Sequence, residues 1–307
     1  MSAVRQVAQR ADALGFRDLW VTENTLDHVF CFDPIVILTY AAAITTRIRV
    51  GVSVVVLPVR NPIHLAHEIA TLDYASNGRA VLGVGLGRDN HYQGVPGSSR
   101  APHPEIPRGG RADQGAVDPI EGRLPRQNLH ARGRQHVAEA RAEAAPADLA
   151  GRRAPDAIKR AAAIADGWMG SGGSSVAEFS RSVPALRAAL EKSSRDPARF
   201  PISKRVFLSV HERADVAKAE LHHWFTTVYH NPNGADASGV HGTPEQVRER
   251  LEQLVGMGAN HLLLNPVCRH AEQLEALAAI AGSPGRLTSP STSPVKLDSR
   301  SRNAYLH

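Results

Sequence analysis

At 307 residues, with 42% hydrophobic content, the chain is long enough for one large α/β barrel or two smaller domains. Its two cysteines, Cys31 and Cys268, stand far apart without metal-ligand spacing, which excludes a disulfide framework and fits a reducing cytoplasm. The formal net charge of +6 comes from scattered arginines and from a tail (Arg286, Lys296, Arg300, Arg302), with no basic helix or aromatic-interleaved stripe, so nucleic acid is not an expected partner.

Apolar residues at helical spacing (Val4, Val7, Ala8, Ala11, Leu14) predict a helix over 3–14 that stops at Gly15. This amphipathic start lacks the apolar core of a signal peptide. Asp18–Thr22 reads as a short buried strand. Asp33 followed by Pro34 opens a helix that runs to about Thr46. Ile48–Leu57 is a near-continuous β-branched run, the pattern of a strand covered on both faces, and it is too short to span a bilayer. Asn61-Pro62 starts a helix ending near Asn77-Gly78, and Ala80–Val84 is the next strand, leading into Gly85-Leu-Gly87.

After residue 151 the alternation resumes. Helices are expected over 155–165, 176–192, 213–228, 243–256 and 270–281, with strands at Asp166–Gly170, Ile202–Val210 and His261–Val267. Residues 283–307 read as a disordered Ser/Pro/Arg tail. Strict helix–strand alternation favours a parallel sheet with right-handed crossovers. Six strands would fit a doubly wound sheet. A closed barrel needs two more, and there is room for one before residue 3 and one within 94–151.

Seven segments together resemble a known family. They are A-x-A-L-G-F-x-D-L-W-V-T-E at 11–23, T-T-R-I-R-V-G at 45–51, V-V-V-L-P-V-R-N-P at 54–62 and N-G-R-A-V-L-G-V-G-L-G at 77–87. The later ones are R-A-P-D-A-I-K-R-A-A-A-I-A-D-G-W at 153–168, F-P-I-S-K-R-V at 200–206 and H-L-L-L-N-P-V at 261–267. In this order and spacing they resemble the bacterial luciferase-like superfamily, which includes coenzyme F420-dependent reductases. The resemblance implies a TIM-type (β/α)₈ barrel whose first strand would lie just before Met1, so the barrel is expected to be incomplete.

Residues 94–151 contain no Phe, Tyr, Trp, Met, Cys, Thr or Lys, and follow neither a helical nor a strand period. Composition alone reads them as a disordered insert. A one-base shift of the reading frame lets the segment encode the fourth helix, a hairpin and the fifth strand expected from the resemblance. We therefore expect a compensated pair of frameshifts, near Gln93–Gly94 and near Gly151–Arg153. The chain divides accordingly into an N-terminal part of the barrel (1–93), an out-of-frame stretch (94–151), a C-terminal part of the barrel (152–282) and the tail. An open sheet edge is expected to leave the chain poorly stable.

Parallel barrels build their sites at the C-terminal strand ends. After the second barrel strand come Glu23, Asn24, Asp27 and His28, of which Glu23, Asn24 and His28 are the catalytic group that the resemblance implies. Family members often carry His or Asp-His at the position of Asn24, and Asn hydrogen-bonds without relaying protons. His28 then either substitutes or is an ordinary loop residue. The resemblance further implies that Gly51, Ser53 and Val54 form the bulge under the isoalloxazine, with a cis Ser53–Val54 peptide. It implies that Gly85 and Gly87 let the backbone approach the ring, that Arg88 and Asn90 face the substrate, and that Arg152, Arg153, Ala154, Gly170 and Ser171 hold the cofactor phosphate. His64/His67 and His222/His223 read as solvent-facing helix histidines, because no third metal ligand is placed by the sequence.

The function implied is a flavin-dependent oxidoreductase that uses reduced FMN with O₂, or F420 for hydride transfer, on a small organic molecule. A homodimer and a flavin reductase partner accompany that reading. The alternative is an inactive remnant or a non-catalytic partner of an intact paralogue.

Overall fold

In the computed structural model, residues 1–24, 31–87 and 154–282 are described. The expectations for Asp27, His28, Arg88, Asn90, Arg152, Arg153, 94–151 and 283–307 lie outside the described residues.

The helices begin where the sequence supplies caps. α1 (Ser2–Ala13) ends at Leu14, with Gly15 beyond it at φ +82°. α2 (Pro34–Ala43) is capped by Asp33, whose carboxylate accepts from the Ile35 and Val36 amides, and α3 (Pro62–Ala75) is capped in the same way by Asn61. α4 (Ala154–Ile164) leads into α5 (Val176–Lys192), which opens on a Ser175/Glu178 capping box. α6 (Ala214–Thr227), a short α7 (Gly234–Ser238), α8 (Pro244–Gly256) with a Thr243/Gln246 capping box, and α9 (His270–Gly282) follow among the described residues.

The strands among the described residues are all parallel. β1 (Asp18–Val21), β2 (Arg49–Val56) and β3 (Ala80–Gly85) form one sheet in that order. In the other, β5 (Ile202–Val210) is central. β4 (Trp168–Gly170) lies beside its first residues and β6 (Val240–Gly242) beside its last, while β7 (His261–Pro266) runs along the opposite edge. The parallel α/β class follows the expectation. β6 and α7 were not anticipated: three-residue and five-residue elements are too short to display a period.

Helices cover the outer faces. α1, α2 and α3 bury Ala8, Leu38, Ala41, Leu65 and Leu72 against Val50, Val52 and Val55 of β2. Around the second sheet, Phe179, Leu186, Val247, Leu251 and Leu277 pack on Trp168, Val206 and Leu208. Such full burial, at about 25 cal/mol per Å² of apolar surface, is what opposes the ordering entropy of the chain.

The two sheets meet through side chains. Trp20 (β1), Val54 (β2), Met169 (β4) and Leu263 (β7) form one cluster drawn from four strands, and this defines the inner side. Asp18 and His261 bridge β1 and β7 at 2.9 Å, and α1 packs on α9 with Ile48 and Leu274 between them. Among the described residues no backbone ladder joins β1 to β7 or β3 to β4.

Candidate functional site: the inner strand ends of a parallel α/β fold

The most irregular backbone lies in β2. Its register against β3 shifts between Val52 and Val55, and the Ser53–Val54 peptide is cis, the conformation implied for that bond by the resemblance. The bulge turns Val54 toward Met169 and Leu263, and the Ser53 hydroxyl donates to the Met169 sulfur at 3.2 Å. One position of β2 is thus aimed across the interior at β4.

Glu23 holds this segment from the side. Only 4% exposed, it accepts from the Val56 amide and from Arg60, both at 2.7 Å. Arg60 also donates to Asp33, so one guanidinium ties the end of β1, the end of β2 and the start of α2 together. Burial works against the charge on Asp33, but the Arg60 and backbone hydrogen bonds outweigh it and hold this carboxyl below its ordinary range. Asn24 follows, half-buried, at the same strand end.

Gly51 sits two residues before the bulge. A Cβ there would lie 2.6 Å from the Trp20 ring, so the missing side chain accommodates Trp20. The indole Nε1 of Trp20 is buried with no hydrogen-bond partner among the described residues. On β3, Gly85 is buried, and Gly87 adopts φ +73°, a left-handed conformation that frees the backbone to turn at the strand end.

Gly170 ends β4. Its missing Cβ makes room for Phe179 and Lys204 on the outer side, so Gly170 is needed there for packing. The following turn is held by Lys204, a side chain 1% exposed on β5. Its ammonium donates to the carbonyl of Ser171, to the carbonyl of Ser174 at 3.0 Å and to the Ser174 hydroxyl at 3.1 Å. Burial, helped by the neighbouring charge of Arg205, pushes its pKa down to about 7. Ala154 begins α4, and its partners in the phosphate group, Arg152 and Arg153, lie outside the described residues.

Alternation along β5 places Ser203, Arg205, Phe207 and Ser209 on the inner face. Ser203 bonds His261, which in turn meets the buried Asp18. Arg205 donates to Asn265 of β7 at 3.1 and 2.5 Å, with its guanidinium 4.7 Å from the Phe207 ring. Phe207 packs in turn on Trp224, Phe225 and Tyr229, so α6 covers the C-terminal part of this face. Sequence reasoning passed over Trp20, Arg205, Phe207 and Asn265. For Arg205 and Phe207 the signal was their shared parity along β5, whereas nothing local to Trp20 or Asn265 marks them as facing the interior.

The structure therefore brings Ser53, Val54 and Gly51 together with Trp20 and Met169, and sets Glu23, Asn24, Gly85 and Gly87 at the strand ends of the same sheet. His64 and His67 are exposed, as expected. His222 departs from expectation: it is half-buried and bonded to Asp236 at 3.0 Å.

These strand ends belong to a protein of the luciferase-like monooxygenase family: the profile of that family matches residues 1–238, and the chain is a member of it. Among its relatives is 4-hydroxyprotoasukamycin monooxygenase of Streptomyces nodosus subsp. asukaensis, 35% identical over 94 residues, which are 29% of this chain and 25% of that protein. The chain thus spans about a quarter of that relative's length. The fold matches the coenzyme F420-dependent tetrahydromethanopterin reductase of Methanopyrus kandleri at a TM-score of 0.61 and 16% identity, over 90% of this chain and 93% of that one. It also matches the FMN-complexed oxygenating constituent of 3,6-diketocamphane monooxygenase of Pseudomonas putida, at 0.65 and 15% identity over 94% of each chain. No helix among the described residues is long and apolar enough to cross a membrane.

Proposed function

We propose that this chain is an oxidoreductase that binds a reduced flavin or deazaflavin, FMN or F420, at the inner C-terminal ends of β2, β3 and β4, and acts on a small organic substrate. The observation that carries this reading is the β2 bulge, which aims Val54 across the interior at β4 in a chain belonging to the luciferase-like family. The residues present fit such a group. A glycine-lined turn of left-handed backbone at Gly87 permits close approach of a planar ring, and the buried Trp20 Nε1 is a donor in need of an acceptor.

When bound, the cofactor supplies the redox chemistry: oxygen activation with FMN, or hydride transfer with F420. The chain's own part is to bind, orient and exclude water. Ser53 and Val54 support the ring, with Gly51 seating Trp20 beside them. Glu23 positions the bulge through Val56, and Asn24 offers a hydrogen bond at the reactive edge. Ser171, with its turn fixed by Lys204, and Ala154 at the start of α4 receive the phosphate, since a helix start favours anions. Gly85 and Gly87 flank the ring. We assign Arg152 and Arg153 to the phosphate, and Arg88, Asn90 and His28 to the substrate side, from the resemblance. A homodimer and a flavin reductase partner complete the reading.

The family match favours an enzyme over an inactive remnant. The test is anaerobic titration of the full chain with reduced FMN and with F420, followed by fluorescence quenching. Saturable binding of one, weakened by Val54→Trp, is expected; failure to bind either would overturn the assignment. We further propose that residues 94–151 arise from a compensated pair of frameshifts. Sequencing the coding DNA tests it, because stop codons in the shifted frame would refute it.

A further inference from the structure

Away from the β2 bulge, three side chains from three separate elements converge at the edge of the second sheet. His222 comes from α6, Asp236 from α7 and His241 from β6, and one donor atom of each lies within 4.8 Å of the other two. His222 Nε2 is 3.0 Å from an Asp236 oxygen, and His241 Nε2 is 4.0 Å from the same oxygen. The two imidazoles face each other edge to face, with centroids 6.4 Å apart.

We propose that His222, Asp236 and His241 form a binding site for a borderline divalent transition ion, for which Zn²⁺ is the probe. Two imidazoles and one carboxylate are a donor set that suits such ions better than Ca²⁺ or Mg²⁺, which take mostly oxygen. Bonds of about 2.0–2.2 Å to one ion require donor atoms separated by roughly 3–3.5 Å. The His222–Asp236 separation already meets this. The His241 contact, 4.0 Å to the same oxygen, requires small shifts of both His241 and Asp236, side chains 25% and 60% exposed, and water would complete the coordination from the solvent side.

The surroundings set the site's electrostatics. Lys218 Nζ stands 3.9 Å from the shared Asp236 oxygen, and Arg250 also acts on His241. Lys218 competes with an ion for the carboxylate, yet its side chain is 54% exposed and can turn out to water. An ion held here would fasten α7 and β6 to α6, the helix that covers the C-terminal part of the inner β5 face. The site is therefore structural, and it does not depend on the coenzyme assignment.

The test is calorimetric titration of the EDTA-stripped, dialysed full-length chain with ZnCl₂. One site is expected beyond any weak background from the remaining histidines. The double variant H222Q/D236N should weaken it by on the order of a hundredfold, since two of three protein ligands are altered. His223→Gln, at an exposed neighbouring position, should leave it unchanged, and Lys218→Gln should tighten it. Zn²⁺ should also protect His222 and His241, but not His223, from acylation by diethyl pyrocarbonate in the unmutated protein. This readout needs no variant to fold. Equal affinity in the wild type and double variant, or equal protection of His222 and His223, would overturn the proposal.

Discussion

Replacing Lys204 by methionine removes a buried amine from the turn between β4 and α5 and makes stability depend on pH in a defined direction. In the folded chain burial lowers the Lys204 pKa from 10.5 to about 7, and the positive charge of Arg205 adds to this. Between those values the unfolded chain carries a proton that the folded chain does not, so stability rises with pH across this window. Below about 7 both states are protonated and the full penalty applies; above 10.5 neither is, and the penalty is gone. At about 1.36 kcal/mol per pH unit, the change from about pH 6 to about pH 9.5 amounts to roughly 3 kcal/mol. A thioether in place of the amine cannot titrate. The variant's curve lacks this rise, while the carbonyls of Ser171 and Ser174 lose their donor at every pH. The stability gap, wild type minus Lys204→Met, should therefore widen by roughly 3 kcal/mol from about pH 6 to about pH 9.5. Urea unfolding followed by tryptophan fluorescence measures it, and other titrating groups cancel in the difference. Parallel curves would refute the reasoning, because they would mean that the ammonium is fully stabilised by its three acceptors.

Substitutions at three further positions probe the same framework. Asp18→Asn removes a carboxylate that burial pushes upward but that hydrogen bonds from His261 and Arg49 bring down to about 2. Because that value lies below the ordinary 3.8, the stabilisation is present above pH 3.8 and lost as pH falls toward 2. A cost of about 2–3 kcal/mol near pH 7 should shrink by about pH 3 in chemical denaturation, and an unchanged difference would count against the ion pair. Glu23→Ala strips the Val56 amide and Arg60 of their shared acceptor and should cost about 2–4 kcal/mol, read as a lowered Tm, whereas Glu23→Gln should recover part of it. Gly51→Ala drives a methyl into the Trp20 ring, with the nearest carbon at 2.6 Å. It should destabilise by about 1–3 kcal/mol and shift the tryptophan emission, and a neutral outcome would show that Trp20 can move aside.

Much of the architecture was legible because burial is written into periodicity. The run Ile48–Leu57 declares a strand covered on both faces, and Asp33-Pro34, Asn61-Pro62 and Thr243-Pro244 declare helix starts through their caps. The β2 irregularity was legible only through the family pattern around Ser53, since nothing in the local composition separates a bulge from plain strand. The parallel sense of the sheets followed from the alternation of elements, and the family from ordered motifs along the chain.

Other features depend on chain segments meeting in space, and no local signal encodes them. Glu23, placed among the catalytic group from its position, has its carboxylate on Val56 and Arg60, and that follows from the way β1, β2 and α2 come together. Gly51 and Gly170 matter for the rings they admit, which belong to distant residues. His222 looked like a solvent-facing residue because its partners stand 14 and 19 positions further on, and they reach it only because α7 folds back and β6 pairs with β5. Periodicity reports whether a side chain is buried. Which atom it meets there is decided by long-range packing.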